Sequence, residues 1–152
     1  MCGFVVVNKD GRIDEGSLNK ALLSIKHRGP DSTSIWTNKE KNIAFGHNRL
    51  SIIGIENGRQ PLFNETNEII AVVNGEFYNF IEIRQSLIQK GHCFKTDSDS
   101  EILIHLYEEY GTNCLSYLRG EFAFVLYDTK KRQFFAGRDR FGIKPLLFYH
   151  DY

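Results

Sequence analysis

The sequence has little that would cross-link or stiffen a chain. Its 152 residues include only three cysteines and three prolines. The cysteines are sparse and widely spaced, and they form neither a disulfide framework nor a C-x-x-C zinc motif. The low proline content excludes collagen-like and proline-rich classes. Basic and acidic residues balance at 19 each, which argues against a nucleic-acid-binding protein, because such proteins carry a basic surplus.

Long hydrophobic runs are also missing. The longest apolar stretches, such as residues 4–7 and 122–127, fall far short of the ~20 residues that a membrane-spanning helix needs. The first residues show no basic region followed by an apolar core of signal-peptide length. We therefore expect a cytoplasmic protein without a membrane partner.

What the sequence does contain is typical of one globular domain. Hydrophobic residues make up 41% of the chain and aromatic residues 13%, which favours a well-filled, strand-rich core. Apolar patterns predict strands at residues 4–7, 43–50, 69–73, 121–128, 133–137 and 145–149. Helical spacing predicts helices over residues 17–26, after Asn79, and after the capping box at 98–101. Because strands and helices are clustered rather than alternating, we predict an α+β layered domain.

The start of the chain carries a reactive pair of groups. Removal of Met1 would leave Cys2 with a thiol and an α-amino group on one residue. An α-amino group has a pKa of about 7.7–8.0, which suits a general base, and a terminal amine can activate its own side-chain nucleophile. Taken alone, Cys2 is interpreted as a small apolar residue near a terminus.

Eight motifs spread over the whole chain give Cys2 a context. They are Met-Cys-Gly at 1–3, His-Arg-Gly-Pro-Asp at 27–31, Gly-His-Asn-Arg-Leu-Ser-Ile-Ile at 46–53, Gln-Pro-Leu at 60–62, Val-Asn-Gly-Glu-Phe-Tyr-Asn at 73–79, Ser-Asp-Ser-Glu at 98–101, Arg-Gly-Glu-Phe-Ala-Phe at 119–124 and Gly-Arg-Asp-Arg-Phe-Gly-Ile-Lys-Pro-Leu at 137–146. In this order and spacing they resemble the class II glutamine amidotransferase domain of asparagine synthetases, which belongs to the N-terminal nucleophile hydrolases. Phosphoribosyl and glucosamine-type amidotransferases usually have Arg-Gly-Tyr-Asp-Ser where this chain has His-Arg-Gly-Pro-Asp-Ser.

The resemblance implies both a fold and a reaction. The fold is a four-layer αββα sandwich of two mainly antiparallel sheets flanked by helices. The reaction is hydrolysis of glutamine to glutamate and ammonia through a thioester on Cys2. Asn74 and Gly75 would form the oxyanion hole, since an amide N–H and a backbone N–H can converge on one oxygen. Without the resemblance, the Asn-Gly pair reads as a tight turn.

The same resemblance assigns the residues that would hold the amino-acid head of glutamine. Arg49 would bind the carboxylate with its planar guanidinium, and Glu76 and Asp99 would accept hydrogen bonds from the ammonium. Ile52 and Ile53 would line one wall of the pocket. Considered alone, Arg49 is a surface charge and Asp99 is a helix-capping residue.

The remaining candidates are interpreted as structural. Four histidines, His27, His47, His92 and His105, show no shared metal-ligand spacing, so we expect no metal site. We expect Cys93 and Cys114 to be inert core thiols. We expect buried ion pairs at Arg138, Asp139 and Arg140.

The resemblance also implies partners. In the family, ammonia passes to an ATP-dependent synthetase domain. No Ser-Gly-Gly-x-Asp-Ser loop occurs in this sequence, so we expect no cofactor in this chain; ATP and Mg²⁺ would belong to a synthetase domain supplied in cis or in trans. We expect residues 1–152 to form a glutaminase domain that is either truncated at its C-terminal end or a stand-alone glutaminase whose exposed sheet edge is covered by a partner. Both alternatives are compatible with a homo-oligomer.

Two alternatives stay open. One is a non-catalytic remnant that binds glutamine or a partner, and the other is a different amidase on the same scaffold. Arg49 with Glu76 and Asp99 favours an α-amino-acid substrate and argues against the second.

Overall fold

Two antiparallel sheets form the centre of the protein, and the computed structural model describes residues 1–151. The strands are β1 (Gly3–Asn8), β2 (Ser32–Thr37), β3 (Ile43–Arg49), β4 (Leu62–Phe63), β5 (Ile69–Phe77), β6 (Gly120–Asp128) and β7 (Gln133–Arg138). The helices are α1 (Glu15–Ser24), α2 (Phe80–Gln89) and α3 (Ile102–Tyr110), with 3₁₀ turns at Lys26–Arg28, Asp99–Glu101 and Gly111–Ser116. The first sheet has the order β1-β3-β2 and the second β4-β5-β6-β7. Within residues 1–151, every helix is too short or too polar to cross a membrane.

Period-two alternation in the central strands produces the layers. On β3, Phe45 packs between the sheets, while Ala44 packs under α1. On β5, Ile70 and Val72 face the first sheet, and Ala71 faces α3. The order of layers is therefore α1, first sheet, second sheet, then α2 with α3. This is the αββα arrangement expected from the sequence.

Two elements, α1 and β5, begin or end two or more residues away from the expected positions. Helix α1 begins at Glu15 instead of residue 17, because the Asp14 carboxylate accepts a hydrogen bond from the Ser17 N–H at 2.7 Å and caps the helix. Strand β5 continues through Asn74 and Gly75 to Phe77, so the Asn-Gly pair forms no turn.

The strands differ from the prediction in three further ways. The polar strand β2 and the short strand β4 were not predicted. The predicted strand at 145–149 does not form, and its residues Leu147, Phe148 and Tyr149 are highly exposed. The apolar pattern there has no neighbouring strand to pair with among the described residues, and a strand needs that pairing.

Candidate active site

A pocket opens where β1, the end of β3 and the second half of β5 meet. Every predicted site residue lines it: Cys2, Arg49, Ile52, Ile53, Asn74, Gly75, Glu76 and Asp99. The remaining lining residues are Met1, Leu50, Gly58, Gln60, Val73, Ser98, Ser100, Glu121 and Lys144. Residues far apart in the chain therefore share one concave site.

Cys2 lies immediately before β1, and the register of β1 with β3, continued by one residue, places it opposite Arg49 and near Leu50. The Leu50 N–H donates to the Cys2 sulfur at 3.4 Å, and the sulfur lies 3.6 Å from the Leu50 carbonyl oxygen. The Arg28 Nε–H donates to the Cys2 carbonyl at 3.0 Å. The backbone and the side chain of Cys2 are thus both held, and the preceding Met1 is exposed.

Asn74 and Gly75 lie next to each other on β5, with Asn74 on the face that points toward the first sheet. The Asn74 side chain is buried, and its Oδ1 has no hydrogen-bond partner among residues 1–151. Gly75 has a φ of +145°, and a Cβ there would lie 2.0 Å from the Glu121 carbonyl oxygen. Only glycine can occupy this position, because any side chain would collide with the backbone of β6.

Val73 precedes this pair, and its backbone N–H and carbonyl are hydrogen-bonded by a side chain rather than by a neighbouring strand. The Gln60 amide donates to the Val73 carbonyl at 3.1 Å and accepts from the Val73 N–H at 2.6 Å. His47 Nε2 also lies 3.1 Å from that carbonyl oxygen. Burial lowers the pKa of His47 to about 4, against the effect of the Val73 hydrogen bond, so the ring is neutral at pH 7 and donates Nε2–H.

Arg49 is the last residue of β3 and is buried, with its guanidinium inside the loop that follows. It donates to the carbonyl oxygens of Ile53, Gly54 and Ile55 at 3.0, 2.6 and 3.1 Å. A guanidinium has five N–H donors, so two remain for another acceptor. Arg49 therefore orders the wall made by Ile53 and keeps donor capacity for a carboxylate.

Asp99 and Glu76 bring negative charge to the same pocket. Asp99 opens the 3₁₀ turn after Ser98, and its carboxylate accepts the Phe77 N–H at 2.8 Å. Burial raises the pKa of Asp99, and the nearby Glu76 adds to this, although the Phe77 hydrogen bond opposes it. Glu76 itself is exposed. An uncompensated buried carboxylate beside a second one favours a cationic ligand.

Two charged residues at the rim were not predicted. Lys144 is buried and its Nζ lies 2.9 Å from Glu121 Oε1. Glu121 stands opposite Glu76 on the neighbouring strand. Their only sequence signal is membership of the family-like motifs at 119–124 and 137–146.

Asp139 explains how Lys144 reaches the rim. Its carboxylate accepts the backbone N–H groups of Phe122, Phe141, Ile143 and Lys144. The expected buried ion pair at Asp139 is therefore wrong: backbone N–H groups, not arginines, satisfy this carboxylate and hold its pKa low against burial. The neighbouring Arg140 donates to the Leu118 carbonyl at 3.1 Å.

The expectations for the other cysteines and histidines were only partly correct. Cys114 is fully buried, and burial raises the pKa of its thiol to about 11, but Cys93 is exposed. His92 and His105 come together with Glu65, away from the pocket. Spacing along the sequence could not show this, because Glu65 comes from the turn before β5.

The fold and the site define a class first. The solved structure of glutamine phosphoribosylpyrophosphate amidotransferase from B. subtilis matches with a TM-score of 0.69 at 24% identity, covering 85% of this chain and 35% of that chain. An allosteric regulatory enzyme of purine biosynthesis gives a TM-score of 0.69 at 23% identity. These matches show that the chain shares the two-sheet fold of these two enzymes.

The family follows from the sequence. The glutamine amidotransferase domain model matches residues 1–152, and the chain belongs to that family. It is 43% identical to a probable glutamine-hydrolysing asparagine synthetase of Dictyostelium discoideum, over 96% of this chain and 27% of the relative. It is 44% identical to asparagine synthetase 1 of Bacillus subtilis, over 97% of this chain and 24% of the relative. It is 46% identical to asparagine synthetase 2 of rice, Oryza sativa, over 96% of this chain and 24% of the relative. The chain thus spans about a quarter of these relatives.

Proposed function

We propose that this domain hydrolyses glutamine to glutamate and ammonia at Cys2. The observation that carries the proposal is convergence: a held thiol, a buried amide with an adjacent glycine, a guanidinium with free donors and two carboxylates line one pocket. A nucleophile, oxyanion donors and charges for an amino-acid head are the three requirements of the reaction. Membership of the glutamine amidotransferase family supports the same conclusion.

The chemistry follows from the position of each group. Once Met1 is removed, the α-amine takes the thiol proton and the Cys2 sulfur attacks the carboxamide carbon of glutamine. The Asn74 side-chain N–H and the Gly75 N–H stabilise the resulting oxyanion. Return of the proton to the amide nitrogen breaks the C–N bond, releases ammonia and leaves a thioester. Water then attacks the thioester, giving glutamate and regenerating the thiol.

Selectivity for an α-amino acid comes from the charged walls of the pocket. The two unused N–H donors of Arg49 bind the α-carboxylate, and Asp99 with Glu76 binds the α-ammonium. Glutamine therefore brings the cation that the buried Asp99 lacks. An amide without an amino-acid head would leave both walls unpaired, which argues against a general amidase.

The ammonia is used elsewhere in the protein. Because the relatives are named asparagine synthetases and this chain spans about a quarter of their length, we place an ATP- and Mg²⁺-dependent synthetase domain in the same polypeptide. Aspartate is the expected ammonia acceptor and the cytoplasm the expected compartment. Incubation of the full-length protein with aspartate, ATP and glutamine should yield asparagine, and absence of product would contradict this assignment.

The glutaminase proposal is tested with Cys2→Ala in the full-length protein. We expect wild-type protein to release glutamate from glutamine and the variant to lose this activity by several orders of magnitude, because no other thiol lines the pocket among residues 1–151. Cys93→Ser, at an exposed site outside the pocket, is the matched control and should retain activity.

Mass spectrometry of the same preparation should show loss of Met1. Retained Met1 would leave the Cys2 nitrogen in a peptide bond and contradict its role as base. Glutamine binding without glutamate release in wild-type protein would instead support the non-catalytic alternative.

A further inference from the structure

A second cluster of chemically reactive groups lies outside the glutamine pocket. His105 projects from α3, His92 from the segment after α2, and Glu65 from the turn between β4 and β5. His105 is fully buried, His92 is half-buried and Glu65 is exposed, so the cluster has a closed side and an open side. None of these residues lines the pocket that contains Cys2.

The donor atoms are spaced like the ligands of one small cation. His92 Nδ1 lies 3.2 Å from His105 Nδ1, and Glu108 Oε2 lies 3.1 Å from His105 Nδ1 and 3.5 Å from His92 Nδ1. Zinc–nitrogen bonds of about 2.0–2.1 Å give a tetrahedral ligand–ligand edge of about 3.3 Å. The three atoms therefore outline one face of a tetrahedron around a zinc-sized ion.

Glu65 provides the fourth corner. Its Oε1 lies 3.9 Å from His105 Nδ1, and the three donor atoms of Glu65, His92 and His105 all lie within 4.8 Å of one another. Its exposure leaves this corner free to adjust and gives an ion a route into the cluster.

Outer partners orient each ligand as they do in established metal sites. Glu109 Oε1 lies 3.0 Å from His92 Nε2, which directs Nδ1 into the cluster. The Asn64 amide donates to Glu108 Oε1 at 2.8 Å, and the Cys93 N–H donates to Glu65 Oε1 at 2.9 Å. On the far side of His105, Glu101 Oε1 lies 3.6 Å from Nε2.

The local charge attracts a cation. Three carboxylates surround His105: Glu65 and Glu108 lie 3.9 and 3.1 Å from its Nδ1, and Glu101 lies 3.6 Å from its Nε2. Their negative charges would stabilise a divalent ion bound between them.

We propose that Glu65, His92, His105 and Glu108 form a binding site for a divalent transition-metal ion, with zinc as the best fit. Nitrogen and carboxylate ligands in a near-tetrahedral arrangement suit Zn²⁺ better than Mg²⁺ or Ca²⁺, which require six or more oxygens. The ion would connect α3, which carries His105 and Glu108, to the segment between α2 and Asp99, which carries His92. The site departs from the expectation of no metal, which rested on spacing along the sequence.

The test measures zinc directly in the full-length protein. Protein stripped with a chelator is dialysed against zinc, and the metal content and the midpoint of thermal unfolding are recorded. We expect the wild-type protein to hold one more tightly bound zinc per chain than His92→Gln, and to gain thermal stability with zinc that this variant does not gain. The His92 side chain is 12% exposed, and glutamine keeps a polar amide at this position, so the unfolding midpoint of the zinc-free variant is measured first to show that its fold is intact.

Two variants complete the design. His27→Gln changes an exposed histidine outside the cluster and should bind zinc like wild type. Glu65→Gln should weaken zinc binding by at least about tenfold. Equal zinc content in wild-type and His92→Gln protein would overturn the proposal.

Cys93 needs its own control, because it is exposed and adjacent to His92. Cys93→Ser should retain zinc, and a cobalt-loaded sample should lack the near-ultraviolet absorption of a thiolate ligand. Loss of zinc in Cys93→Ser would show that a thiolate holds the ion and that the proposed ligand set is wrong. All of these readouts are independent of glutaminase activity, so failure here leaves the proposal for Cys2 intact.

Discussion

At the scale of single residues, the site depends on positions that only one side chain can fill. Gly75 is the clearest case, since its backbone conformation and its distance to β6 each exclude a Cβ. It also carries one of the two N–H groups assigned to the oxyanion hole. The close approach of the strands and the proposed role in the oxyanion hole therefore both require that residue 75 has no side chain.

Gly75→Ala should be severely destabilising and inactive. The added Cβ, 2.0 Å from the Glu121 carbonyl oxygen, forces β5 away from β6, and we expect a loss of more than about 2 kcal/mol in the free energy of unfolding. Denaturant unfolding and glutamate release would measure the two effects. The control is Gly91→Ala: its φ is +97°, but nothing lies within 4 Å of a new Cβ, so only about 1 kcal/mol of backbone strain is expected. Equal losses in the free energy of unfolding of both variants would show that the positive φ, rather than the clash with β6, causes the destabilisation.

At the scale of secondary-structure elements, loop residues complete the site by hydrogen bonding to the exposed edges of strands. Strand β4 pairs with β5 only at Leu62 and Phe63, and the Gln60 amide then continues the pattern by pairing with both backbone groups of Val73. The next residue along β5 is Asn74. Gln60 is thus a positioning residue that acts on the oxyanion hole through the backbone.

Gln60→Leu should separate positioning from binding. Leucine leaves the Val73 N–H without its partner and the Val73 carbonyl with only His47, at a cost of about 1–3 kcal/mol in stability. Because the groups that hold the amino-acid head are untouched, we expect kcat for glutamate release to fall at least tenfold while KM changes little. Gln89→Leu, at an exposed position at the end of α2, should change neither. A rise in KM without a fall in kcat would contradict the positioning role.

The elements also show what the sequence could and could not predict. Apolar periodicity located β3, β5, β6 and α3, because their core faces are continuous. It ended β5 too early, because an Asn-Gly pair signals a turn, whereas here Gly75 pairs with Phe122 of β6 and the strand continues to Phe77. The polar strand β2 carries no such signal and is defined only by its pairing with β3.

The site residues were predictable for a different reason. Cys2, Asn74 and Arg49 lie in short motifs whose resemblance to a family carried the assignment, and the structure places them in one pocket. The roles of Gln60, Glu121 and Lys144, and the meeting of Glu65 with His92 and His105, arise only from tertiary contacts. No pattern along the chain encodes those distances.

At the scale of the whole molecule, the pocket is a place where function opposes stability. Asp99 is buried, and burial together with Glu76 raises its pKa, although backbone hydrogen bonds, foremost that from Phe77, oppose the shift. A carboxyl group whose pKa is higher in the folded state than in the unfolded chain stabilises the fold only while it is protonated. That contribution is complete below the ordinary pKa of 3.8 and is lost as the pH rises through the raised value, so at neutral pH the ionised Asp99 destabilises the fold.

Asp99→Asn should therefore make the protein more stable and less able to bind glutamine. The amide oxygen can still accept the Phe77 N–H, but the cost of a buried charge disappears, so the unfolding midpoint should rise at pH 7. The gain should shrink toward zero as the pH falls below 4, where wild-type Asp99 becomes neutral as well. KM for glutamine should increase at least tenfold, because the ammonium loses its buried partner.

Asp10→Asn, in the exposed turn after β1, is the control for removing one negative charge and should shift neither the unfolding midpoint nor KM. A stability gain that persisted unchanged at pH 3.5 would show that the charge on Asp99 is not its source.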